Sequence, residues 1–349
     1  LTELDPRTTG RAASQDKSDS PYQSDGAHQF RAGGRVLSLF TTTLHGVILH
    51  AISDGPVRFS DLQARAGEST LKALRGNIGN LIGIGALEKR TSDSEPDLLD
   101  NELTPFGREL LLVAATLDEW LARAPGSPLE LEGEAAKDAI KALLGGWNSR
   151  MLRVLAARSS SLAELDELLG SFSQSALERR LAAMHAAGQV TACSPPDGGP
   201  AAYAVTEWLR EGAAPLLASI RCERRHLGSG TAAVGRTDVE TLFLLAVPLL
   251  DSFDGARGRC QLAVDVGDSR AQGSAGVDVA VEGGRVVSCV AKLESDPPEW
   301  VRGSAAEWLD AIIDRDPRRL ETGGPDGLPA IFVEGLHSHL FSGADAPGR

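Results

Sequence analysis

Between Ser161 and Val190, leucines recur at 162, 165, 168 and 169, and then, past Gly170-Ser171, at 177 and 181 with Met184. The later spacing is i, i+4, i+7, one face of a helix, and Gly188 stands where such a helix stops. The pattern predicts two helices joined by a tight turn. That is the plan of a helix-turn-helix, whose second helix can enter a DNA major groove, and equally of a plain helical hairpin.

An earlier stretch repeats it. The spacing predicts a helix over Val36–Ile52, ended by Asp54-Gly55-Pro56, and a short helix opened by Phe59-Ser60-Asp61-Leu62 and closed by Gly67. Ser69 is read as the N-cap of a third helix with Leu71, Leu74, Ile78 and Leu81 on one face and Gly85 at its end. Ala86-Leu87 and Glu102-Leu103-Thr104 read as the two strands of a ribbon. Thr104 then caps a helix over Phe106–Ala124 with Pro105 at its first position. Helices followed by a two-stranded ribbon make a winged helix. At an offset of 103 residues, Leu49 matches Leu152, Phe59 matches Leu162, Leu62 matches Leu165, Leu74 matches Leu177, Ile78 matches Leu181, Leu81 matches Met184 and Gly85 matches Gly188. Past the ribbon the offset is 102, so that Leu103-Thr104 matches Val205-Thr206. Two copies of one winged-helix unit follow, with Leu143–Ala157 repeating the first helix.

The last third has a different rhythm. An apolar helix is predicted over Val239–Leu250, strands over Cys260–Val266, Gly276–Val281 and Arg285–Leu293 with a hairpin turn at Gly283-Gly284, and helices over Ser304–Ile313 and Leu328–Phe341. The expected organisation is a disordered arm over 1–34, a winged helix-turn-helix over 35–124, a linker over 125–142, a second winged helix-turn-helix over 143–228 and an α+β domain over 236–341. The fold class is thus mostly α with an α+β part.

Composition narrows the class without naming a chemistry. The chain of 349 residues is 42% hydrophobic and 24% charged. Its longest apolar run, Leu242–Leu250, holds Pro248 and falls short of the roughly 18 residues of a membrane span. The N-terminus shows no basic, apolar, small-residue series, so no signal peptide is expected. Four scattered cysteines without a CxxC pair argue against zinc and disulfides and fit a reducing cytoplasm. The net charge of −13 is unevenly spread: Lys+Arg against Asp+Glu is 9 to 12 over 35–124, 9 to 8 over 147–226 and 10 to 18 over 236–341. The two repeats are therefore near neutral, short of a strong electrostatic footprint for DNA.

The pattern GPVRFSDLQARAG, a helix ending in GALEKR, and LTPFGREL resemble HxlR-type winged helices, relatives of the MarR regulators. The stretch SLAELD…ALERRLAAMHAAGQV…YAVTEWLR is similar to a more diverged unit of that type. GVDVAVEGGRVVSCVAKLE…GSAAEWLDAIID…LHSHLF looks like a sterol-carrier-protein-like domain, a sheet-and-helix shell around an apolar cavity. Together, over about residues 35–341, the chain resembles actinobacterial regulators with duplicated winged helices and a C-terminal sterol-carrier-like domain. The resemblance implies transcriptional regulation, often beside natural-product genes for antibiotic biosynthesis or resistance, double-stranded operator DNA as partner, and a small apolar or aromatic effector. It implies no cofactor and leaves a homodimer open.

The first recognition helix offers Ser69, Thr70, Lys72 and Arg75, its wing offers Lys89 and Arg90, and the second helix offers Ser173, Gln174, Ser175, Arg179 and Arg180. Short hydroxyls at a helix N-terminus suit phosphate, and Arg can bridge guanine acceptors; a merely solvated helix face uses the same residues. Gly76, Gly79 and Gly83 lie inside the first helix, each costing about 0.5–1 kcal/mol relative to Ala. The first wing reads TSDSEPDLLD, and the second, Gln189–Thr206, has no Lys or Arg. The series GNIGNLIGIG lacks the strand and the acidic residue of a dinucleotide-binding turn. His337 and His339 are two apart, unsuited to binding one metal together, and His185 and His226 read as surface groups. No catalytic Ser/His/Asp, Cys/His or carboxylate pair stands out, so no enzyme is expected. Of the five tryptophans, Trp300 and Trp308 are assigned to the ligand chamber and Trp120 and Trp208 to contacts between the units, core packing being the competing role for each.

Two readings follow. One is a cytoplasmic, ligand-responsive DNA-binding regulator. The other is a small-molecule binding or sequestering protein, conferring drug resistance, whose winged helices are vestigial. A protein-interaction scaffold is a third.

Overall fold

The computed structural model describes residues 30–66, 70–91, 99–170, 172–194, 200–228, 232–251, 255–265, 274–325 and 327–341. Two helices, α1 (Gly34–Leu39) and α2 (Thr43–Ala51), replace the single one expected over 36–52. The break falls on Thr41-Thr42. The Thr41 hydroxyl donates to the Ser38 carbonyl at 2.7 Å and Thr42 is extended, so local side-chain bonding competes with the helix ladder.

Residues 1–29 of the expected arm lie outside the described residues, but its end is held in place. The Arg31 guanidinium lies 4.5 Å over the Trp147 ring and pairs with Asp238. Ala32 is buried, its carbonyl accepting from Trp147 Nε1 at 3.1 Å. The buried Glu223 carboxylate accepts from Gly33 N at 2.8 Å and Val36 N at 3.0 Å, satisfying donors at the start of α1. Burial, with Arg150 and Arg153 nearby, lowers the Arg31 pKa to about 10.

The first repeat continues with α3 (Phe59–Arg65), α4 (Leu71–Gly83), strands β1 (Leu87–Thr91) and β2 (Leu99–Leu103), and α5 (Pro105–Ala122). The region read as a linker over 125–142 is corrected. Helix α6 (Glu134–Asn148) begins inside it, because Ala136, Ala139, Ile140, Leu143, Leu144 and Trp147 form a buried stripe at helical spacing. The helix read over 143–157 is likewise interrupted. Arg150 sits at φ 61 between α6 and α7 (Met151–Ala157). The second repeat then runs β3 (Ser160–Ser161), α8 (Leu162–Leu169), α9 (Gln174–Ala186), β4 (Val190–Cys193), β5 (Ala202–Val205), α10 (Glu207–Glu211) and α11 (Ala213–His226).

Strand register carries the sequence offsets into three dimensions. Leu87 lies opposite Leu103 and Val57 bridges Asn101; in the second repeat Val190 lies opposite Val205 and Ser160 opposite Tyr203. The caps match as well. Thr104 Oγ1 accepts from Gly107 N at 3.1 Å and donates to the Gly85 carbonyl at 2.6 Å. Thr206 Oγ1 accepts from Leu209 N at 3.2 Å and donates to the Gly188 carbonyl at 3.0 Å. Gly85 and Gly188 end α4 and α9 at φ 79 and 74, the left-handed turn that glycine adopts without a Cβ penalty.

The last third holds α12 (Arg236–Ala246), β6 (Gly258–Asp265), β7 (Ala275–Glu282), β8 (Arg285–Val290), β9 (Trp300–Ser304), α13 (Ala305–Ile313), β10 (Glu321–Gly323) and α14 (Leu328–Phe341). Its sheet has the order β10-β9-β6-β7-β8, with only β6 and β9 parallel among its neighbours. The expected helix over 239–250 stops earlier, at Ala246, and Pro248 turns the chain in a 3-10 turn. All of Asp238–Ala246 is buried, because α12 lies against β7 on one side and against α7, α10 and α11 on the other. Arg153 of α7 pairs with Glu240 of α12, whose other oxygen accepts from Gly276 N at 3.3 Å. One set of packed side chains thus links the helical repeats to the sheet. Among the described residues no helix is long and apolar enough to cross a membrane.

Candidate nucleic-acid interface

Helices α4 and α9 stand at corresponding places in the element order, each after a short helix and before a pair of strands. Leu74, Ile78 and Leu81 bury one face of α4, and Leu177, Leu181 and Met184 bury the same face of α9. Each helix is entered through a hydroxyl cap. Thr70, not Ser69, caps α4: its side chain accepts from Ala73 N at 3.2 Å, and Ser69 lies outside the described residues. The correction is of one position, which two adjacent hydroxyls leave open in the sequence. Ser173 accepts from Ala176 N at 3.3 Å at the start of α9. Helix α8, which precedes α9, is opened by a reciprocal capping box. Ser161 N donates to Glu164 Oε2 at 2.7 Å and Glu164 N to Ser161 Oγ at 3.4 Å. Donation to the carboxylate from Ser161 N, and from the Ser161 hydroxyl at 3.0 Å, holds the Glu164 pKa down.

The expected contact residues form two groups. On the first repeat Lys72, Arg75, Lys89 and Arg90 are exposed. Arg75 lies 5.2 Å over the Phe59 ring, and Arg90 pairs with Glu102 across the ribbon at 3.3 Å. On the second, Ser173, Gln174, Ser175 and Arg179 are exposed, while Arg180 is half-buried 4.6 Å over the Phe172 ring. Gln174 Nε2 donates to Glu178 at 3.0 Å, and the Ser173 and Ser175 hydroxyls are 3.3 Å apart. The aromatic platforms escaped the sequence reading. Phe172, directly before the Ser173 cap and eight residues from Arg180, was the detectable one; Phe59 meets Arg75 only through the fold. Exposed Asn80 was missed as well, as was Asn77, whose side chain bonds back to the Ala73 carbonyl at 2.9 Å.

The charge around the helices is mixed. Glu88 stands directly opposite Glu102 in the ribbon, and Arg58 lies 3.8 Å from Asp100. A Cβ placed on Gly76, Gly79 or Gly83 would meet nothing within 4 Å, so at these three positions the outer side of α4 is bare backbone. Contrary to its apolar spacing, Leu168 of α8 is 53% exposed.

The two tryptophans assigned to a ligand chamber sit in unlike surroundings. Trp308 is fully buried, edge-on to Phe243 at 4.6 Å, with Nε1 donating to the Ala263 carbonyl at 2.8 Å. Trp300 is half-buried, its ring over the backbone of Gly323 and under the Arg302 guanidinium at 4.9 Å. Among the described residues no three His, Cys, Asp or Glu side chains come together as a metal site. His337 is buried, with Nδ1 2.6 Å from the Ile312 carbonyl.

No curated protein and no solved structure matches the chain. A family description does. Residues 40–126, from the last residue of the α1 turn through the whole first ribbon and α5, carry an HxlR-like helix-turn-helix, the domain of a family made up of DNA-binding transcription regulators.

Proposed function

We propose that this chain is a cytoplasmic, non-enzymatic transcriptional regulator that binds double-stranded operator DNA through two winged helices, α4 and α9 being the recognition helices. In this reading a small apolar or aromatic metabolite held by the C-terminal sterol-carrier-like sheet and helices controls it. The observation that carries the reading is the shared register: a segment matching HxlR-like domains has a second segment behind it with the same element order, strand pairing and threonine cap. The contact set is Thr70, Lys72, Arg75, Lys89 and Arg90 with Ser173, Gln174, Ser175, Arg179 and Arg180. Ligand control is supported by the position of α12, buried between the sheet and α7, α10 and α11. A ligand that prefers one packing of α12 shifts the spacing of α4 and α9 only by its difference in affinity for the two packings. Trp300, half-buried, is the tryptophan a ligand reaches without repacking. The test is a mobility-shift series over neighbouring intergenic DNA at several salt concentrations, with and without lipophilic metabolites. Absence of a shift even at low salt overturns the reading.

One observation favours sequestration instead. Glu88 faces Glu102 where a wing meets phosphate, and β4 and β5 carry no basic residue. Tight calorimetric binding of a metabolite by a protein that shifts no DNA would select that alternative.

A further inference from the structure

Resting on the DNA-binding reading above, we infer that the target is a single asymmetric site of two unlike half-sites, filled by one chain. In a symmetric dimer both recognition helices are the same sequence, so the operator is a palindrome. Here the frame is shared and the reading face is not. At the offset of 103 residues the inward positions agree: Leu74 with Leu177, Ile78 with Leu181, Leu81 with Met184. The outward ones all differ. Lys72 corresponds to Ser175, Arg75 to Glu178, Gly76 to Arg179 and Asn80 to Ala183.

These differences change what each groove meets. A positive charge at 75 becomes a negative one at 178. The stacked arginine sits at 75 in α4 but at 180 in α9, a position equivalent to 77, so the two guanidinium groups leave their helices at different heights and angles. The ribbons differ in the same way, since Lys89 and Arg90 of β1 correspond to Ala192 and Cys193 of β4. A basic side chain offers donors to guanine acceptors, whereas Ser, Gln and Glu select other edges. Both helices belong to one polypeptide whose α5 and α11 already pack together, so one chain supplies both halves.

The test is selection of bound duplexes from a randomised library with the full chain, followed by native mass spectrometry of the best duplex. Two different half-motifs at fixed spacing, with one chain per duplex, support the inference. Duplexes carrying either half-motif as an inverted repeat are then expected to bind at least about tenfold more weakly. An enriched palindrome, or two chains on one site, overturns it while leaving DNA binding intact. Enrichment of no sequence overturns the DNA-binding reading as well. A second arm gives α4 the outer face of α9 through Leu71→Gln, Lys72→Ser, Arg75→Glu, Gly76→Arg, Asn77→Arg, Gly79→Ala and Asn80→Ala. The glycine changes point into open space, and circular dichroism verifies folding. The selected site is then expected to become more symmetric. A folded variant that selects the original site refutes the assignment of α4 as a reader.

Discussion

Trp120 and Trp208 hold each other by a reciprocal exchange: each indole Nε1 donates to the other's backbone carbonyl at 2.8 Å, and the rings stack 4.6 Å apart at 7°. Trp120 belongs to α5 and Trp208 to α10, so the exchange ties the closing helices of the two repeats. Both side chains are almost wholly buried. About three turns earlier along α5, Glu109 meets Arg221 of α11 at 2.9 Å, a second, charged tie between the closing helices.

Truncating either ring should therefore loosen one unit against the other. Trp120→Ala or Trp208→Ala is expected to cost about 3–5 kcal/mol through the cavity left behind. Trp→Phe at either position is expected to cost about 1–3 kcal/mol, since the facing carbonyl loses its indole donor and the smaller ring leaves space. The double Phe variant should fall short of the sum of the two. Denaturant titration of the four proteins measures that coupling, and strict additivity would show that the two rings do not act together.

The threonine caps provide a second check. Thr206→Val removes both the acceptor for Leu209 N and the donor to the Gly188 carbonyl, at an expected cost of about 1–2 kcal/mol, with Thr206→Ser restoring most of it. Thr104→Val should behave alike, because its two bonds are the same. Thermal denaturation compares them; a neutral Thr206→Val would mean that the cap contributes nothing.

His50 makes stability depend on alkaline pH. Its hydrogen bond to Asp118, ahead of a second one to Glu132, raises its pKa to about 9 against burial. A raised pKa means that the stabilisation is full below the ordinary histidine value near 6.5, declines as the unfolded chain loses its proton, and is gone above about 9. His50→Gln should flatten the stability profile between those limits and leave the rest of the curve unchanged. Equal slopes in the two proteins would remove His50 from the account.

On DNA, Lys89→Ala is expected to reduce the salt dependence of binding by about one counterion and to weaken all sequences alike. Arg179→Ala should instead relax the preference at one base position, costing about 1–3 kcal/mol on the preferred site. Binding isotherms at several salt concentrations separate the two behaviours. A base preference untouched by Arg179→Ala would move that side chain off the base edges.

What the sequence disclosed was periodic and local. The offsets of 103 and 102 residues anticipated strand register, the two threonine caps and the glycine stops, because each depends on neighbours a few positions away. The helix α6 was obscured by the Pro125-Gly126-Ser127-Pro128 punctuation before it, though its own alanine and leucine stripe was in plain view. Contacts between distant segments left no such trace. Nothing in the order of residues places Arg75 on Phe59, Glu223 at the start of α1, or α12 between a sheet and three helices. Leu168 shows the converse, an apolar residue at helical spacing that nonetheless faces outward.

The packing of α5 on α11 closes within one polypeptide, and that contact cannot be lost by dilution. A partner on the same chain is present at an effective concentration set by the intervening residues, whatever the number of molecules in solution. An assembly of two separate molecules forms in proportion to the square of their concentration and falls apart when they are scarce. If α4 and α9 are the paired recognition helices proposed above, one molecule carries both, and occupancy of a target should follow copy number linearly from the lowest expression upward.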